Sequence, residues 1–264
     1  MTGFTPEQAA VLRSLRDSWA EEKFVVIGAT AIGCHLDFRW RKTRDLDLSI
    51  AAGIEECRKA LERIPGWIRH ERIEHEWTAP GNVRVDVIPA NRTALESGRI
   101  DWPGGSTMSA VGLRAAFADN VRREVGDGLF VRVASATAIT ILKMAASLDR
   151  SDRDRDLSDL AYLMQDIVGV DDAERWSDPV LDLDLDYESV SPFVLGRRVA
   201  AIADAGEKAV AGRFLARLED PSDRPASLAR MVSMGPREWR EGDVATARLV
   251  AFRRGLTYAP HGTS

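Results

Sequence analysis

Arg41-Lys-Thr-Arg-Asp-Leu-Asp-Leu-Ser-Ile50 is the stretch on which the reading of this 264-residue chain turns. From Asp45 to Ile50 polar and apolar residues alternate strictly, the period of a strand with one apolar and one polar face. Residues two apart point the same way, so Asp45 and Asp47 share the polar face while Leu46, Leu48 and Ile50 pack on the other. Two neighbouring carboxylates repel each other unless a cation or solvent intervenes. Oxygen-only donors suit a hard cation, Mg2+ or Mn2+. Arg84-Val-Asp-Val-Ile88 alternates in the same way, with Val85 and Val87 inward and Asp86 on the polar side. If the two strands are neighbours, Asp45, Asp47 and Asp86 converge on one patch able to ligate metal.

Spacing alone does not select this pair. Asp and Glu total 41 residues; Asp152-Arg-Asp154-Arg-Asp156 offers the same Asp-x-Asp spacing, and Leu181-Asp-Leu-Asp-Leu-Asp186 alternates as cleanly. Context separates them. Only the first pair follows Phe24-Val-Val-Ile-Gly28, a short apolar strand ending in glycine, with a short helix expected over Ala29 to Leu36. Gly28 permits close backbone approach. Helix N-terminal amides at Ala29 and Thr30, together with the Thr30 hydroxyl, can bind phosphate oxygens.

Outward from this core, apolar spacing predicts an opening helix over residues 6–20 and another from Gly53 to Ile64. Turn-rich Ala79-Pro-Gly-Asn82 lies between Trp67–Trp77 and Asn82–Pro89, which reads as a hairpin. A second hairpin joins Asn120–Val125 to Leu129–Val133 across Gly126-Asp-Gly128. Ser135 is a candidate N-cap for a helix reaching Leu148, and a further helix covers Asp154 to Ile167. Residues 170–191 read as an acidic linker, and beyond Pro192 helices are expected over 193–218, 225–233 and 238–255. The fold class is therefore mixed α/β (α+β), with a sheet domain over residues 1–133 and a helical domain over 134–264.

Bulk composition narrows the classes. A hydrophobic share of 45% and a charged share of 29% are those of a globular chain. No apolar run suffices to cross a bilayer, so no membrane is expected. Met1 to Gln8 lacks the regions of a secretory signal, and Cys34 and Cys57 make no disulfide framework, so the expected compartment is the cytoplasm. A net charge of −5 argues against a protein that coats nucleic acid generally. It leaves room for local arginine clusters such as Arg39, Arg41 and Arg44, which suit phosphate. Lys143 interrupts the apolar run Ala138-Ile-Thr-Ile-Leu-Lys-Met-Ala-Ala146, so its ammonium must reach either solvent or an anion.

The combination of a strand–glycine–helix element, an Asp-x-Asp strand and a later strand aspartate resembles the DNA polymerase β nucleotidyltransferase superfamily. More narrowly it resembles the AbiEii/AbiGii toxin branch. Gly28-Ala-Thr-Ala-Ile32 is similar to that branch's Gly-Gly-Thr-Ala-Leu, with Ala29 where a second glycine or serine is usual. Arg41-Lys-Thr-Arg-Asp-Leu-Asp-Leu48 is similar to its Arg-x-Thr/Ser-x-Asp-Ile/Leu-Asp-Leu run. Lys143 and Arg155-Asp-Leu-Ser-Asp-Leu160 fall where it carries a helical lysine and a Lys/Arg-Asp-x-x-Asp-Leu motif. The resemblance covers roughly residues 24–165.

It implies a nucleotidyltransferase-type mixed sheet flanked by helices and completed by the helices carrying Lys143 and Asp156. It also implies transfer of a nucleoside monophosphate from an NTP to an acceptor hydroxyl of tRNA or protein. Mg2+ or Mn2+ would bind Asp45, Asp47 and Asp86, and the nucleotide would meet Gly28, Ala29, Thr30, Arg41, Arg44 and Lys143. Lys143 and Asp156, with Asp159, are implied in catalysis, and a cognate antitoxin is the implied partner. Two rivals stay open at this point: modification of a small molecule such as an antibiotic, and a catalytically degenerate fold that binds or regulates.

Overall fold

The computed structural model describes residues 3–37, 43–149, 154–220, 222 and 224–259. It divides into two compact units, Met1–Leu142 and Lys143–Ser264. The division falls inside a helix, Ala136–Asp149, rather than ahead of it at residue 133.

In the first unit, helix α1 (Pro6–Arg16) starts at a capping box. Thr5 Oγ1 accepts from the Gln8 amide while Gln8 Oε1 accepts from the Thr5 amide. It is followed by β1 (Phe24–Ile27), α2 (Gly28–Ile32), β2 (Leu46–Ile50) and α3 (Ile54–Leu61). Next come β3 (Ile68–Arg69), β4 (Glu76–Ala79) and β5 (Val83–Pro89), then α4 (Arg92–Ser97), β6 (Arg99–Asp101) and β7 (Thr107–Ser109). The unit continues through α5 (Leu113–Ala118), β8 (Asn120–Gly126) and β9 (Leu129–Ala134) into α6 (Ala136–Asp149).

Seven strands form a mixed sheet in the order β3-β4-β5-β2-β1-β9-β8. β2 is antiparallel to β1 and parallel to β5, which places it at the centre. The alternation in the sequence is realised there. Leu46, Leu48, Ile50 and Val85 are fully buried, and Val87 nearly so, while the intervening aspartates face the other way. Both expected hairpins form, β4 with β5 and β8 with β9. Residues 70–75, expected as strand, are not part of one, and the small β6–β7 ribbon had no legible signal. Ser135 does cap α6: its Oγ accepts from the Ala138 amide and donates to Asp119.

The second unit is helical. It comprises α7 (Asp154–Asp166), α8 (Asp178–Asp182), α9 (Val190–Ile202), α10 (Ala205–Glu219), α11 (Arg224–Met234) and α12 (Val244–Thr257). The single helix expected over 193–218 is two. Asp204 caps α10 in a reciprocal box with Glu207, and the chain turns at Ala203. The alternating Leu181–Asp186 stretch is no strand: α8 ends at Asp182, and Asp184 sits in the left-handed region at φ 47°. Phe193, Phe214, Phe252 and Trp239 are buried in this unit's core. Among the described residues no helix is long and apolar enough to cross a membrane.

α9 and α12 cross on two glycines. A Cβ at Gly196 would stand 2.2 Å from the Phe252 carbonyl oxygen, and one at Gly255 would stand 2.0 Å from that of Phe193. Backbone lies on the far side of both contacts, so neither helix can yield a side chain to make room. Gly196→Ala is therefore expected to destabilise the helical unit by about 3 kcal/mol. Chemical denaturation followed by circular dichroism checks this, and an unchanged midpoint would contradict the close crossing.

Candidate active site

The candidate site grows from strand register. Asp47 pairs with Asp86 across the parallel β2–β5 ladder and with Ile27 across the antiparallel β1–β2 ladder. Glu76 on β4 pairs with Asp86 from the other side. Directly paired residues point to the same face, so Asp47, Asp86 and Glu76 form one row of carboxylates. Asp45 precedes β2, and because Leu46 pairs with Val85 it runs beside Arg84. Their side chains meet: Arg84 Nη2 donates to Asp45 Oδ2 at 2.6 Å. Both are partly exposed, 47% for Arg84 and 35% for Asp45, so the pair is worth about 0.2–1 kcal/mol.

Gly28 follows the strand end opposite Asp47 and has φ 68°, the left-handed region that favours glycine. A Cβ there would lie 2.1 Å from Asp47 Oδ2, so the missing side chain makes the space that the carboxylate fills. Ala29 is buried, and its methyl packs within the unit rather than standing in solvent. Thr30 is buried as well, and its hydroxyl works inward. It donates to the Asp45 carbonyl at 2.9 Å and accepts from Gln8 Nε2 at 3.3 Å. The Thr30 hydroxyl thus holds the approach to β2, a different use from the phosphate contact expected of it. Gln8 Nε2 also lies 3.3 Å from the Asp45 carbonyl, so the capping residue of α1 helps to pin the same point.

Sequence reasoning missed Gln8, Glu76 and Arg84. Apolar spacing placed Gln8 in the opening helix, but its tertiary contacts have no local signal. Arg84 and Asp86 are two apart on one strand, which did place them on one face. Arg44 is exposed. Arg39 and Arg41 lie outside the described residues, as do Asp152 and Arg153 of the other charged run.

Asp86 carries the strongest electrostatic mark. Burial, and after it the Asp47 charge, pushes its carboxyl up to about 7; Arg84 opposes this, while Glu76 and Asp45 add to it. Its Oδ1 is buried and has no hydrogen-bond partner among the described residues. A buried, unsatisfied carboxylate oxygen beside a second carboxylate fits a divalent cation, and the donors are the oxygens that Mg2+ and Mn2+ prefer. With Asp45 turned onto Arg84, no group of three or more such side chains is gathered in ligand geometry among the described residues.

In the second unit Lys143 Nζ lies 2.6 Å from Asp156 Oδ1 and 2.9 Å from Asp159 Oδ2. All three residues are buried. Burial works against the ammonium, but the two carboxylates outweigh it and hold the Lys143 pKa above its ordinary value. The anion that its apolar helix demanded is thus a pair of aspartates three apart on α7.

A carboxyl whose folded pKa is raised holds a proton that the unfolded chain has released, so stability falls as pH rises between the two values. For Asp86 that window runs from the ordinary carboxyl value of 3.8 to about 7. Asp86→Asn removes the penalty. In the metal-free protein it is expected to raise the melting temperature at pH 8 by about 5 °C and to change it little at pH 4. Equal melting temperatures for the two proteins at pH 8 would contradict the crowding of Asp47 and Asp86.

Among known families, residues 10–226 match the model of the nucleotidyl transferase AbiEii toxin, type IV toxin–antitoxin system. No curated protein matches the sequence. Similar solved structures include an antigenic nucleotidyltransferase-like protein from Paracoccidioides brasiliensis, 14% identical, with a TM-score of 0.42 and 94% of each chain covered. Another is a protein from H. pylori assigned as a nucleotidyltransferase, 14% identical, with a TM-score of 0.36, covering 95% of this chain and 94% of that one. At these TM-scores neither structure bears on the assignment. The family match spans most of the chain and includes both the glycine turn and the aspartate strands: this chain belongs to the AbiEii nucleotidyl transferase toxin family and is a nucleotidyltransferase.

Proposed function

We propose that the protein moves a nucleoside monophosphate from an NTP to an acceptor hydroxyl on tRNA or protein, with Mg2+ or Mn2+ held by Asp45, Asp47 and Asp86. The observation that carries this reading is the buried Oδ1 of Asp86, without a hydrogen-bond partner among the described residues and in register with Asp47. When bound, the metal supplies charge neutralisation and Lewis-acid polarisation of the phosphoryl oxygens. The chain's own residues supply position. Gly28 leaves room for the Asp47 carboxylate, and Thr30 and Gln8 fasten the backbone of Asp45. Asp86, in register with Asp47, is assigned to the metal beside the attacking hydroxyl and to accepting that hydroxyl's proton.

The backbone at Gly28 and Ala29 and the guanidinium groups of Arg41 and Arg44 are assigned to the triphosphate. A role for Lys143 and Asp156 toward the nucleotide is proposed from the family resemblance alone; within the second unit the Lys143 ammonium is paired with Asp156 and Asp159. Family membership brings a nucleotide substrate and a toxin's cognate antitoxin with it. Modification of tRNA or protein, with arrest of growth as the consequence, follows as the proposed outcome, in the cytoplasm.

Incubation of the protein with each α-labelled NTP, Mg2+ and total RNA or lysate tests the reading. Label is expected on an RNA or protein acceptor. Asp45→Asn and Asp47→Asn are each expected to lower transfer by about 100-fold or more while leaving the circular dichroism unchanged. Wild-type transfer by both variants would overturn the assignment.

A further inference from the structure

One cation already stands among the carboxylates. Arg84 Nη2 holds Asp45 Oδ2 at 2.6 Å, and its Nη1 lies 3.9 Å from Glu76 Oε2. The arrangement is dictated by register. Alternation on β5 puts Arg84 on the face of Asp86, and the pairing of Leu46 with Val85 brings Asp45 alongside. Arg84 therefore neutralises Asp45 and faces Glu76 on the other flank. It is half-exposed, and exposed ion pairs open readily, so this partnership can be exchanged.

We propose that Arg84 is the resident counter-ion of the carboxylate patch: a divalent cation must displace it from Asp45, and the freed guanidinium then turns to the anionic triphosphate. The inference rests on the metal reading given above and adds to it a residue which that reading left out. Two effects make Arg84 a competitor. It occupies an oxygen that the cation needs, and its positive charge repels the cation at short range. Nucleotide reverses the competition, because phosphate offers the guanidinium a second, bidentate partner. Cation and nucleotide thereby bind with positive linkage, each easing the entry of the other. A protein built in this way holds its metal weakly until substrate arrives.

Mn2+ titrations of the full-length protein, read by the electron paramagnetic resonance of the free ion, test this without reference to activity. They are run on wild type, Arg84→Gln, Arg84→Lys and Asp86→Asn, with and without a non-hydrolysable NTP analogue. Arg84→Gln is expected to bind Mn2+ about ten-fold more tightly than wild type without nucleotide, the scale of one removed charge a few ångströms away. It should gain less from the analogue than wild type does. Arg84→Lys keeps the charge and should bind as wild type; tightening equal to that of the glutamine variant would overturn the counter-ion role. If Asp86→Asn loses the ion while Arg84→Gln binds no more tightly than wild type, the inference on Arg84 falls and the metal reading stands. If wild type binds no Mn2+, or Asp86→Asn binds it as well as wild type, the metal reading falls and this inference falls with it.

Discussion

Repulsion between two carboxylates on paired strands governs this site. Asp47 and Asp86 are brought side by side by the parallel ladder of β2 and β5, and Glu76 closes on Asp86 from the other flank. Nothing in the backbone can relieve that crowding, because the buried apolar faces of the same strands hold the register: a slip of one residue would bury the aspartates and expose Leu46, Leu48 and Val85. Hydrophobic burial on one face therefore enforces electrostatic cost on the other. Asp86 meets the cost by favouring its proton up to about pH 7. The divalent cation proposed for the site would meet it differently. The strained charge and the chemistry proposed for it are one feature.

The helical unit solves a similar problem in the opposite way. Lys143 brings a charge into a largely apolar stretch of α6, and α7 answers with two carboxylates three residues apart, on one helical face. The cluster is closed upon itself and buried. Removing one partner of a buried ion pair typically costs about 3–5 kcal/mol, so loss of activity in a Lys143 variant has to be separated from loss of fold. Asp45 differs in kind. Its bond to Arg84 is partly exposed, where the Lys143 cluster is buried.

Much of this was legible in the sequence, for definite reasons. Strict alternation at Asp45–Ile50 and Arg84–Ile88 identified both strands, since a period of two has one structural meaning when a face is buried. Turn chemistry at Ala79–Asn82 and Gly126–Gly128 identified both hairpins. Spacing alone failed at Leu181–Asp186, where alternation equal to that of Asp45–Asp47 ends in a short helix and a left-handed Asp184. It also failed at 193–218, where apolar spacing continues through a break that the Asp204–Glu207 capping box makes. The contacts of Gln8, Glu76 and Arg84 were not legible, because each depends on a partner many residues away, reached through sheet register. Thr30 shows the same limit: its hydroxyl faced a choice between ligand and chain that local sequence does not decide, and it turns to the Asp45 carbonyl.

The proposed function stands on a divalent ion shared by the crowded aspartates. The anomalous signal of Mn2+ in crystals grown with the ion and a non-hydrolysable NTP analogue measures this most directly. A peak is expected within coordinating distance of Asp47 and Asp86, with the Asp45 carboxylate turned away from Arg84 to join them. A well-ordered nucleotide with no manganese at these carboxylates, or manganese bound elsewhere on the chain, would contradict it.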